Sequence, residues 1–171
     1  MLNTVSNSLL PIMLIVAAVS DVISLRIPNW LTGLTALLFF PLAFATGMPL
    51  AEFEVHLLVG VALFVVGFVF FQFGLFGGGD AKLMAAAGLW FGSSSALPFL
   101  FMTAVAGGVL AVVVGLWSIF TMHLEIHGRT EDQGSTWKRI TALKPNVPYG
   151  LAFAVGGIVA FRDTWWMQHF A

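Results

Sequence analysis

Cysteine is absent from all 171 residues. That removes disulfides, thiolate nucleophiles and cysteine-built zinc or iron–sulfur sites from consideration. Charge is nearly as scarce, at 9% Asp, Glu, Lys and Arg, where an ordinary soluble domain carries about 25%. The net charge of −1 offers no basic footprint for nucleic acid. What fills the chain is hydrocarbon: 59% of residues are hydrophobic and the mean hydropathy is +0.97. This composition is that of an integral membrane protein. Leu9 to Val19 has the look of a secretory h-region, and Ala18-Val19-Ser20 of a cleavage site. Residues 1–8 hold no Lys or Arg, however, and further apolar segments follow, so an uncleaved first span is expected.

A hydrocarbon core about 30 Å thick takes roughly 20 helical residues. Reading for that length gives spans at about 3–24, 29–47, 54–74, 80–91, 96–122 and 148–165. The fold class is therefore all-α and polytopic, with about six transmembrane helices, or five if the short fourth segment is re-entrant. A single membrane-embedded domain covers 1–171, with one polar loop at about 123–147. The connections after spans one, three and five hold Arg26, Lys82, Arg129, Lys138, Arg139 and Lys144, and only Arg162 lies on the other side. That asymmetry makes the first side cytoplasmic. Trp30, Trp90, Trp165 and Trp166 fall near span ends and are expected in the interface. Gly60, Gly67, Gly107, Gly108, Gly156 and Gly157 lie within spans and read as packing positions.

Two aspartates stand out against this background. Asp80 closes the run Gly77-Gly78-Gly79-Asp80-Ala81-Lys82-Leu83 between apolar stretches, and Asp21 lies at the end of the first span. A carboxylate at the centre of an apolar helix costs roughly 2.5–3.5 kcal/mol, so its default reading is functional. Structural readings compete. Asp80 is well placed as a helix N-cap, and Asp21 as an interfacial residue reaching for water. Capping does not explain three glycines, which lose most entropy on ordering and suit a site that another backbone approaches. Asp21 sits where the helix macrodipole disfavours an anion. Arg26, five residues on, misses the i+4 spacing of a helix ion pair. Pro28 ends that helix and sets Ile27 extended, and Asn29 is a candidate cap for the second.

Both acids fall at the same, cytoplasmic edge. Two carboxylates there titrate as a pair, one ionised while the other keeps its proton. The ionised one can act as general base on water and the protonated one can polarise a peptide carbonyl. That chemistry needs no cysteine, serine or metal.

These residues resemble a known family. Asp21, five residues, then Ile27-Pro28-Asn29 resembles the first active-site motif of type IV prepilin peptidases. The Gly77–Leu83 run resembles their second, whose glycine-x-glycine-aspartate core is shared with presenilin-type intramembrane proteases. Pro148-Tyr149-Gly150 resembles a third, less specific feature. The resemblance implies a membrane aspartic endopeptidase of the bacterial inner membrane, cutting the leader from pilin-like precursors at the cytoplasmic face. It implies Asp21 and Asp80 as catalytic acids, with Gly77, Gly78, Gly79, Lys82, Pro28 and Asn29 as motif or substrate-binding support. Longer members carry a zinc-binding cysteine loop and methylate the new N-terminus with S-adenosylmethionine. With no cysteine here, peptidase activity alone is expected, as in the compact peptidases of Tad (Flp) pilus systems, and no cofactor. The expected partners are the precursor and membrane lipid.

Other groups are weaker. His123 and His127 stand at i and i+4 beside Glu125, a spacing that could bind metal but supplies too few ligands, and no metal site is assigned. Glu52, Glu54 and His56 read as a solvated span start. Rival functions are a small proton- or cation-coupled transporter and a non-catalytic assembly scaffold. The two acids sit at a membrane edge without repeated halves, unlike transporter sites.

Overall fold

A computed structural model describes residues 2–127 and 147–169, with side chains described over 4–121 and 147–169. The expected polar loop, and the side chains of His123, Glu125 and His127, lie outside the described residues. Six helices follow in order: α1 Leu2–Ser24, α2 Asn29–Ala45, α3 Leu50–Gln72, α4 Gly78–His127, α5 Tyr149–Phe161 and α6 Trp165–His169. Among the described residues there is no strand. Thr4–Ser24, Leu50–Gln72 and Gly78–Thr121 are long and apolar enough to cross a membrane, and Asn29–Ala45 is a shorter apolar helix. Their outer faces expose large hydrophobics such as Ile12, Leu58, Phe64, Val109 and Leu116, a surface suited to lipid.

α4 lies at the centre, packed on α3, α5 and α2, while α1 packs mainly on α5. It is not one rod. Gly92 stands at φ 58°, ψ −165°, a region open essentially only to glycine. Before it, 78–91 runs antiparallel to α3: Gly67 faces Ala81, Gly60 faces Leu89, and His56 lies against Gly92. After it the chain runs back beside α5, with Phe91 stacked on Phe99 at 4.4 Å, Thr103 against Gly156 and Tyr149 against Gly107. The expected four-residue connection Gly92-Ser93-Ser94-Ser95 thus narrows to one glycine, with helix resuming at Ser93.

A broken helix frees carbonyls, which in an apolar setting need other donors. His56 Nδ1 donates to the Leu89 carbonyl at 2.6 Å, and Trp166 Nε1 to the Trp90 carbonyl at 3.0 Å. Trp90 in turn donates to the Thr35 carbonyl at 3.0 Å. Phe39 joins this knot by stacking on His56 and Phe53 and meeting Trp90 and Trp166 edge-on. Two expectations are corrected here. His56 is buried rather than solvated, and Trp90 and Trp166 are fully buried rather than interfacial. His56 and Trp166 each contribute a ring N–H to a carbonyl at the break, while Trp90 ties the break to α2 through Thr35. Of the six glycines expected at packing positions, Gly108 alone faces open space.

Candidate active site

The turn after α3 ends at Gly77, which caps α4: its carbonyl accepts the first helical bond from the Ala81 N–H at 3.2 Å. Asp80 is therefore the third residue of the helix, and its Oδ2 reaches back to accept from the Gly77 N–H at 2.9 Å. That is the returning half of a capping box, not the N-cap expected from sequence. The carboxylate still lies at the positive end of the dipole. Its other oxygen, Oδ1, is buried with no hydrogen-bond partner among the described residues. The glycines beside it are crowded. A Cβ on Gly77 would stand 3.0 Å from Asp80 Oδ2, and one on Gly79 would stand 3.0 Å from Ile27 Cβ and 3.1 Å from the Ile27 carbonyl oxygen. A backbone does approach Gly79, and it is the chain's own Ile27-Pro28-Asn29 segment. Gly78 faces only Phe71, at 3.6 Å from its would-be Cβ.

Asp21 occupies the last turn of α1, the wrong end of that dipole. The N-terminus of α5 offsets this: the Gly150 N–H donates to Asp21 Oδ2 at 2.7 Å. Pro148, the N-cap of α5, has no side-chain cap bond, so the Asp21 carboxylate serves as that cap from another helix. The approach is close, since a Cβ on Gly150 would lie 2.8 Å from Asp21 Cβ and 3.2 Å from the Ala17 carbonyl. Just past Asp21 the backbone is strained, with Leu25 at φ 52°. Ser20 and Ser24 hydroxyls hold the next turn by donating to the Arg26 carbonyl at 3.0 and 3.2 Å.

Asp21 and Asp80 are thereby brought to the same end of the helix bundle, and both are buried, at 6% and 9% exposure. Phe76 and Tyr149 rings meet at 5.1 Å, tying the turn before Gly77 to the start of α5. Pro28, at φ −63°, ψ 138°, is the N-cap of α2 without a side-chain bond. Asn29 is not the cap expected of it. Its Oδ1 instead accepts from Lys82 Nζ at 2.8 Å, pinning α2 to α4. Lys82 itself is turned away, about 200° around the helix from Asp80.

Of the residues singled out from sequence, Gly77 touches Asp80 and Gly79 touches the Ile27 segment, while Asn29 and Lys82 bind each other on the outer side. Gly150 was missed as a site residue. Its signal was an apolar helix opening Pro-Tyr-Gly with no Ser, Thr, Asp or Asn in capping position, which leaves N–H donors for an acid from elsewhere. Among the described residues no group of three His, Asp or Glu is placed to hold a metal ion.

Two buried acids at one end of the bundle, each fixed by one backbone N–H, can divide acid and base roles in handling water. No curated protein and no solved structure matches the chain. The sequence model of the type IV leader peptidase family matches residues 8–112, which includes Asp21, the Ile27 segment and Asp80. With more than half of its length so matched, the chain belongs to the type IV leader peptidase family.

Proposed function

We propose that this protein is a membrane aspartic endopeptidase that removes the leader from pilin-like precursors of the Flp type, with Asp21 and Asp80 as its two catalytic acids. One observation carries the reading: two buried acids from distant helices share one end of the bundle, each held by a backbone N–H. Family membership supports the protease chemistry. The ionised aspartate takes a proton from water as the water oxygen adds to the scissile carbonyl carbon. The protonated aspartate hydrogen-bonds the carbonyl oxygen, then passes its proton to the leaving amine as the C–N bond breaks. Asp80 Oδ1, buried and unpartnered among the described residues, is an atom suited to water or the carbonyl. Gly77, beside Asp80, and the Ile27-Pro28 segment packed on Gly79 shape the entry for the extended peptide.

The chain forms one peptidase domain crossing the bacterial inner membrane about six times, with the aspartates on the cytoplasmic side. The basic residues that cluster with that side support the orientation. Lacking cysteine, it cleaves without methylating the product. The test is co-expression with a candidate precursor whose mass is followed. Asp21→Asn and Asp80→Asn should each abolish the loss of leader mass while the protein still inserts. Continued cleavage by either variant ends the proposal, and ion flux without precursor processing would favour a transporter.

A further inference from the structure

A groove of about 470 Å³ runs between α2, α3 and α4, on the side of α4 away from Asp80. Its floor is Lys82, Ala85, Ala86 and Leu89, which share a face centred about 200° around the helix from Asp80. Gly33 of α2 and Phe64 of α3 contribute to the walls. The groove is apolar along its length and polar at one end, where exposed Lys82 donates to the Asn29 side chain.

We propose that this groove binds an anionic phospholipid, with an acyl chain between α2 and α3 and the phosphate at Lys82. An ammonium carries three N–H donors, and Asn29, its partner among the described residues, takes one and is neutral, so it does not balance the charge. A cation at the interface end of an apolar crevice between helices matches a lipid with an acidic headgroup. The volume falls in the range of about 300–1,000 Å³ typical of small-ligand sites. A transmembrane helix about 10 Å across and 30 Å long fills on the order of 2,000 Å³, so the groove is small for a substrate helix. It also opens opposite the aspartates. The site is independent of the peptidase reading.

The full-length protein in detergent, titrated with phosphatidylglycerol or phosphatidylcholine of identical chains, is read by native mass spectrometry. One phosphatidylglycerol should be retained about fivefold better, the discrimination a single lysine supplies near an anionic surface. Lys82→Gln should erase that preference and Lys82→Arg keep it. A Cβ on Gly33 meets nothing within 4 Å among the described residues, so Gly33→Leu should extend into the groove and abolish retention of both lipids. Ala36→Leu is a second filler should the first variant lose helicity by circular dichroism. Gly108→Leu, also pointing into open space but on the returning part of α4, should bind as wild type. Equal retention of the two lipids by wild type would overturn the proposal, as would wild-type binding in both filled variants. Competition by glycerol phosphate without chains, or displacement by an apolar helical peptide, would overturn it too.

Discussion

Asp21 and Asp80 are each restrained by one short backbone hydrogen bond, and those bonds decide where the carboxylates point. The Gly150 contact is the more sensitive. A methyl there would lie 2.8 Å from Asp21 Cβ, closer than real side chains pack, and the Ala17 carbonyl closes the other route of escape. Gly150→Ala is expected to push Asp21 off its position. A misplacement of about 1 Å at a catalytic group can cost around 100-fold in rate, so precursor cleavage should fall by one to two orders of magnitude, with far-UV dichroism unchanged. Cleavage at the wild-type rate would show that the α5 N-terminus does not set the geometry of Asp21. The pair also makes a pH statement. On the proposed mechanism one of the two acids must be ionised and the other protonated, so the rate falls in acid as both become protonated and in alkali as both ionise. A bell-shaped rate profile for precursor cleavage is expected, and a rate independent of pH would remove the dyad.

Helices are held in register by what happens where they stop. Gly92 combines a backbone conformation reserved for glycine with a position where a Cβ would stand 2.6 Å from His56 Nε2. Gly92→Ala should cost about 1–3 kcal/mol from the backbone alone, and more as His56 is driven from the Leu89 carbonyl. His56→Phe keeps the ring packed on Phe39 but leaves that carbonyl unpaired, at about 1–3 kcal/mol. Both losses are measurable as lower Tm in detergent, and an unchanged Tm in the His56 variant would mean that the carbonyl finds another donor. This is also where sequence reading reached its limit. The segment ends, the break at Gly92 and the isolation of the two aspartates were legible, because hydrophobic length, Gly-Ser runs and lone carboxylates are local signals. The burial of His56, Trp90 and Trp166 was not, because their partners lie 33, 55 and 76 residues away. That Asp21 is the acid capping α5 at Gly150, 129 residues on, could not be read for the same reason, although the missing cap residue at Pro148 signalled the need for one. Asp80 was placed one turn wrong, since an acid in the first turn fits the cap and the third position alike.

For the molecule as a whole, the alternation of helices fixes which ends go together. Asp21, the turn before Gly77 and the N-terminus of α5 share one end, through the Gly150 and Phe76–Tyr149 contacts. His56, Gly92 and Trp166 share the other, through their bonds to the break in α4. If the aspartate end is cytoplasmic, every residue of that group is reachable only from inside the cell. The absence of cysteine makes this directly testable with single thiols. Leu75→Cys, in the exposed turn leading to Gly77, and Glu52→Cys, exposed near the start of α3, alter no Lys or Arg and leave the positive-inside signal intact. In intact cells a membrane-impermeant maleimide should label the thiol at 52 and spare the one at 75 until the membrane is opened. The reverse pattern would invert the protein and put the aspartates outside. Labelling of both sites in sealed cells would mean that the bundle does not separate its two ends across the membrane, and the proposed six crossings would fall with it.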